Sequence, residues 1–361
     1  MSRAMMMGGT SRGARPARTG LGAALGLAMV LACAAGSATA APPRPSPIDR
    51  LCRATGVTAP SPAAQAIAAV AVREHETFGG HIIGRDGILV RFGAVEADVA
   101  RDEAAGRGVP WRQVMRYWQS LGPLEEGPLQ LRRVPRAMDD ASVGGTGDLV
   151  PLADALARLR GPAMAEAERE ALMQAALRAT AVDIPWSAAF VSHVLLSAGV
   201  PRTRFAAAIA HLDYVAEAAR RSAEEAEGQP ATSFYRACDP RRTAMRPGDL
   251  LCLHRHDASS LATGGGYGDL MPALAQGERP VWNLHCDIVV SRDNRRGTAT
   301  IIGGNVLQSV ARRDLRIDRR GALGAARPGP SCTGEARTGP LCRPEAAPWF
   351  VLLQAVDPSD P

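Results

Sequence analysis

Ser187, His285 and Asn305 are residues of the kinds that carry out acyl transfer, and the chain presents them in that order. Ser187 lies in DIPWSAAFVSHVLLSAG (183–199), which reads as a helix, with Pro185 just before its first turn and Gly199 then Pro201 as stop signals. At about 100° per residue, Phe190, Val191, Val194, Leu195 and Ala198 fall within roughly 80° of Ser187, whereas Ser192 and His193 lie off that face. A first-turn hydroxyl on the buried face is either a packing residue or a nucleophile aimed at a cleft. A serine must pass its proton to a base as it attacks, and the base needs a third group to fix its ring. His285 opens LHCDIVVS (284–291) and Asn305 closes TATIIGGNV (298–306); an imidazole is the kind of group that can serve as base, and an amide can hold its ring but brings no negative charge. Asp287 is a substitute orienter, on the same strand face as His285 by period two. Cys286 points to the opposite face, so His285 cannot serve it, and it reads as a disulfide or core residue.

Other side chains are weighed beside these. His211 and Tyr214 in AHLDYV lie one helical turn apart and are either ordinary packing residues or, with Trp186 and Asp287, candidates to contact substrate. His254, His256 and Asp257 (LHRHD) have a spacing open to metal, but an exposed strand end explains them as well, and neither a metal nor any other cofactor is assigned. Gly264 to Gly266 lack the strand, lysine and helix of a phosphate loop. His75 and Glu76 read as surface residues, and the stripe Trp111, Val114, Met115, Trp118 and Leu121 as core.

The elements that must position these residues are helices first and strands later, which is α+β language. Helices are expected near 62–77, 111–121, 163–181 and 205–226, with a short hairpin turning at Gly84 to Gly87. Residues 246–253, 284–291, 298–306 and the final PWFVLLQAV read as strands, 256–281 as a long irregular loop and 138–149 as a linker. The expected organisation is a signal segment at 1–40, a proline-rich leader at 41–61, a helical and hairpin region at 62–150 and a domain at 151–355.

The stretches W-S-A-A-F-V-S (186–192), M-R-P-G-D-L-L (245–251), L-H-C-D-I-V (284–289) and I-G-G-N (302–305) resemble, in order and spacing, the W-C-A-A-F-V-S, P-K-P-G-D-L-V, G-H-V-G-I-V and I-E-G-N of the papain-like NlpC and CHAP (cysteine, histidine-dependent amidohydrolase/peptidase) cell-wall hydrolases. More narrowly, PWSAAF, HCDIVV and IGGNV, with EHETFGG and WRQVMRYW upstream, are similar to the bacterial family of domain of unknown function 2272, which brings no established activity. The resemblance implies a papain-like core, a helix bearing the nucleophile packed on a small antiparallel sheet, with an N-terminal helical extension. It also implies action on peptidoglycan stem peptides or a related amide. Serine stands at position 187 where the pattern has cysteine, and Gly303 stands where many members have an acid. Two readings follow: a hydrolase using Ser187, His285 and Asn305, or a fold that binds cell-wall peptide or glycan without cleaving it.

The bulk properties fit export. The first 40 residues hold Arg3, Arg12, Arg15 and Arg18, no acid, the run LGAALGLAMVLACAAG and the small-residue site Ala38-Thr39-Ala40. A soluble periplasmic or envelope protein is the favoured reading, and lipidation of Cys33 in VLAC the alternative. Without that segment, 38 arginines face 36 acids, so the basic balance belongs to the leader and nucleic acid is not an expected partner. The remaining six cysteines are an even number suited to an oxidising compartment. Cys332 with Cys342 is the expected bridge, and Cys52, Cys238, Cys252 and Cys286 are left with three possible pairings.

Overall fold

Short apolar runs in the C-terminal half, among them Leu250–His254 and Trp349–Ala355, form strands that are buried at every position because both faces of their sheet are covered. The structure, a computed structural model, describes residues 46–98, 108–122, 133–135, 149–151, 165–254, 266–278, 284–324 and 347–356. Helices are α1 (Pro47–Gly56), α2 (Pro62–Phe78), α3 (Pro110–Gln119), α4 (Glu166–Asp183), α5 (Ser187–Ser197), α6 (His211–Ala226) and α7 (Tyr267–Ala275). Strands are β1 (Ile82–Ile83), β2 (Leu89–Arg91), β3 (Arg133–Pro135), β4 (Leu149–Pro151), β5 (Tyr235–Cys238), β6 (Leu250–His254), β7 (Leu284–Asp293), β8 (Thr298–Val306), β9 (Ser309–Arg316) and β10 (Trp349–Ala355).

Eight strands form one open sheet in the order β2-β1-β9-β8-β7-β6-β10-β5, and β3 pairs with β4 in a separate ribbon. Every neighbour in the large sheet is antiparallel except β1 on β9. The protein is thus α+β, on a sheet larger than the small one expected. The final strand, β10, is the one expected in PWFVLLQAV; the sheet is enlarged by the β1–β2 hairpin, which turns at Gly84–Gly87 as predicted, and by β5 and β9, which were not expected. The hairpin and α2, which the sequence places before the main domain, are built into the same sheet and core.

One face of the sheet packs under α2, α3, α5 and α6 through Ile67, Trp118, Phe190, Leu195, Tyr214, Ile288 and Ile302. The other carries Leu251, Val289, Ile301, Leu315 and Leu352 beneath α1. Proline-rich residues 41–61 contain α1, which starts at Ser46 with a reciprocal cap: Asp49 N donates to Ser46 Oγ and Ser46 N to the Asp49 carboxylate, each at 3.2 Å. The long loop expected at 256–281 includes α7. The helix expected from 205 begins at His211.

Two of the open cysteine pairings are settled: Cys52 is bonded to Cys238, and Cys252 to Cys286 across the directly opposed β6–β7 pair. Residues 1–45, the linker core at 138–148, His256, Asp257, Gly264 and both Cys332 and Cys342 lie outside the described residues. Among the described residues no single helix is long and apolar enough to cross a membrane.

Candidate active site around Ser187 and His211

Ser187 is the first residue of α5, with Trp186 as the cap position before it. Trp186 is fully buried, stacked on Phe78 at 5.8 Å and tilted on Tyr117 at 5.6 Å, and its indole N–H donates to the buried Glu96 carboxylate. Burial raises the Glu96 carboxyl above its ordinary range, against the pull of that hydrogen bond. The sequence offers Trp186 as a substrate contact; its burial makes it instead the post that fixes where α5 begins. Ser192, expected off the buried face, is also buried, because a chain segment at 201–210 covers that side: its hydroxyl donates to Ala208 O at 3.0 Å and accepts from Ala208 N at 3.1 Å.

The Ser187 hydroxyl lies 2.7 Å from His211 Nε2. His211 is itself the first residue of α6, and its Nδ1 faces the hydroxyl of Tyr214, one turn on. Two helix starts therefore meet at one hydrogen bond, with Ser187, His211 and Tyr214 all buried. For Nε2 to act as a base the ring must carry its proton on Nδ1 and donate it to the Tyr214 oxygen. The helix N-terminus at Ser187 leaves backbone N–H groups without intrahelical acceptors, a setting that favours developing negative charge beside the hydroxyl.

His285 stands behind His211, ring centroids 5.3 Å apart and planes at 68°. Its Nε2 is 2.8 Å from Asp287 Oδ1, as period-two geometry predicted. The other Asp287 oxygen accepts from Arg313 on β9, a residue to which no motif points. Asp287 is completely buried; burial alone would raise its carboxyl, but the Arg313 guanidinium and the His285 imidazole outweigh that and hold it well below the usual range. So enclosed, it orients a histidine and is not placed to touch substrate. Gly303 makes the room: a Cβ there would fall 1.8 Å from Asp287 Oδ1 and 3.1 Å from His285 Nε2. The position that carries an acid in the resembling pattern is thus filled, in space, by the carboxylate of the neighbouring strand.

Asn305 has a left-handed backbone, φ 52, at the irregularity near the end of β8, just before the β8–β9 turn in which Leu307 and Gln308 share that conformation. The β7–β8 ladder, which pairs Ile288 with Ile302, carries Asn305 toward the His285 end of β7. The turn is tied down by His81, whose Nε2 lies 3.0 Å from Leu307 O. His75, read from sequence as a surface residue, is buried and its Nε2 lies 3.1 Å from His81 O. Cys286, in its disulfide, holds no thiol. Among the described residues no cluster of three or more His, Cys, Asp or Glu side chains is arranged to hold a metal ion.

No curated protein and no solved structure matches this chain. The family described as "Uncharacterized protein conserved in bacteria (DUF2272)" matches residues 160–355, more than half of the chain and the part that contains Ser187, His211, His285 and Asn305, and the protein belongs to that family.

Proposed function

We propose that the protein is an exported hydrolase of papain-like, NlpC/CHAP type that cleaves an amide in peptidoglycan stem peptides or a related compound, with Ser187 as nucleophile. The observation that carries this reading is the 2.7 Å contact between Ser187 Oγ and His211 Nε2 at the start of α5. It exchanges two roles in the sequence reading: His211 becomes the base, and His285 the imidazole that walls the base in. As Ser187 Oγ attacks the carbonyl carbon, its proton passes to His211 Nε2 while Nδ1–H is held by the Tyr214 oxygen. Charge on the carbonyl oxygen develops near the N-terminal amides of α5. His211 then returns the proton to the leaving amine, and water, deprotonated by the same ring, releases the acyl group. Asn305, on the turn beside β7, is assigned to positioning. The arginine-rich leader with its apolar run, and two disulfides among the described residues, support export to an oxidising envelope compartment, soluble or anchored through Cys33.

A second reading, a fold that binds wall peptide or glycan without cleavage, is favoured by the enclosure of the site: Ser187, His211 and Tyr214 are only 3%, 5% and 2% exposed. Turnover of purified peptidoglycan fragments by the mature protein separates the two. Activity abolished in Ser187→Ala and in His211→Ala supports the hydrolase, and undiminished activity in both refutes this site. Fragment binding without turnover, in the native protein and in Ser187→Cys, establishes the binding reading.

A further inference from the structure

At the other end of α2 from the Phe78–Trp186 contact, roughly 25 Å away for a 17-residue helix, lies a polar cleft of about 380 Å³. It is lined by Thr55, Thr58, Ser61, Arg236, Arg246 and backbone at 355–356. Both arginines are buried, 6% and 3% exposed, but they are balanced differently. Arg236 is neutralised by a two-pronged pair with Glu225 and also donates to Thr55 Oγ1 at 2.9 Å. Among the described residues the hydrogen-bond acceptors of Arg246 are neutral: Thr58 Oγ1 at 2.9 Å, Ala59 O at 3.3 Å and Ala355 O. Its Nε has no hydrogen-bond partner. The nearest acid in sequence, Asp249, turns its two oxygens to the backbone amides of Arg246 and Ala355. Among the described residues no carboxylate forms an ion pair with Arg246. Burial lowers the Arg246 guanidinium below its ordinary value; the charge of Asp249, which is not in contact with it, offsets part of this, and Arg236 and Arg292 press further positive charge on it.

A guanidinium withdrawn from water with no carboxylate in contact is costly to bury, and an anion that joins it recovers part of that cost. The same cleft holds the start of α2, whose cap Ser61 accepts from Ala64 N at 3.2 Å and whose positive dipole end adds to the arginine. A buried arginine with no ion-pair contact and an unpartnered Nε, a helix N-terminus and three hydroxyl groups together match a tetrahedral oxyanion with several acceptor oxygens. We propose that this cleft is a phosphate-binding site, taking inorganic phosphate or a terminal phosphate monoester against Arg246, and that it is separate from the Ser187 site.

Calorimetric titration of the mature protein with sodium phosphate, and in a parallel arm with glycerol 1-phosphate, at constant ionic strength in chloride, tests this. Saturable binding is expected, with a melting temperature that climbs with the logarithm of phosphate concentration. Binding of both probes assigns the site to a terminal phosphate group, and binding of inorganic phosphate alone assigns it to the free ion. Arg246→Gln should weaken binding by at least about tenfold. Thr58→Asp, which supplies an internal carboxylate beside Arg246, should melt higher than the native protein and lose its response to phosphate. Absence of saturable binding overturns the proposal, and so does a phosphate response unchanged in Thr58→Asp. Asp357 and Asp360 follow Val356 in the sequence; binding seen only in the Asp357→Asn, Asp360→Asn protein would overturn it in favour of the chain's own acidic end as counter-ion.

Discussion

Tyr214 decides which way the proton runs at the candidate site. If His211 Nδ1 donates to the Tyr214 oxygen, Nε2 is free to accept from Ser187; the opposite tautomer would make Ser187 an acceptor and no nucleophile. Under the hydrolase reading, Ser187→Ala and His211→Ala should each lower kcat by about 10³-fold or more, and Tyr214→Phe by about tenfold, since the ring keeps its place but loses the partner that fixes its tautomer. Steady-state kinetics on a defined stem-peptide substrate measures all three, and a Tyr214→Phe protein as impaired as Ser187→Ala would make the tyrosine itself a proton-transfer group. Ser187→Cys should acquire iodoacetamide-sensitive activity, because the start of a helix beside an imidazole favours thiolate. Gly303 carries a separate prediction. An alanine there must displace the Asp287 carboxylate and break its buried pair with Arg313, at a cost of about 3–5 kcal/mol. Urea unfolding of Gly303→Ala gives the figure, and native stability in that variant would show that the carboxylate has somewhere else to go.

Among the elements, α1 is the one most dependent on covalent help. It is ten residues long, too short to persist alone, and is fastened by the Cys52–Cys238 bond, by Gln354 Nε2 donating to Cys52 O at 3.1 Å and by the Arg242–Asp49 ion pair at 3.2 Å. The bond closes 186 residues of chain, which in the chain-entropy account is worth about 5 kcal/mol, against about 4 kcal/mol for the shorter Cys252–Cys286 loop. Replacing Cys52 and Cys238 by serine should therefore destabilise more than replacing Cys252 and Cys286. Urea unfolding under non-reducing conditions compares the two, and the reverse order would mean that local packing across β6–β7 outweighs loop closure. The RPGD turn shows an element fixed by one residue: Gly248 has φ 91, and a Cβ there would meet Ala64 backbone at 2.5 Å, so the turn entering β6 and the first turn of α2 approach as only glycine allows.

For the molecule as a whole, two buried carboxylates set opposite dependences of stability on pH. Asp249 is pushed up to about 7, chiefly by burial. An unfolded aspartate titrates near 3.9, so between about pH 4 and 7 the folded state holds a proton that the unfolded state has lost, and stability falls as pH rises through that window. Asp287 is depressed, so its contribution is present above the unfolded value and is lost as pH falls below it. Asp249→Asn should accordingly remove this loss of stability between about pH 4 and 7 while costing about 1–3 kcal/mol through one mismatched acceptor. Thermal unfolding of native protein and variant across pH measures this; a difference between the two that stays constant from about pH 4 to pH 8 would contradict it. Much of the fold was legible beforehand because it is written in local periodicity and punctuation: α2, α3, α5 and β6 to β8, the Gly84–Gly87 turn and the alignment of His285 with Asp287 all follow from spacing along the chain. The capping box of α1 was also there, in Ser46-Pro47-Ile48-Asp49, but the surrounding prolines masked it. What sequence alone determined is therefore the main helices and the strands at 250–254, 284–293, 298–306 and 349–355, with His285 and Asp287 on one strand face. Only the tertiary structure decided that Ser187 meets His211, that Cys52 bonds to Cys238, and that Arg313 and the space at Gly303 hold Asp287, because these contacts join residues 16 to 186 positions apart whose approach is set by sheet register and helix packing, and no local pattern encodes either.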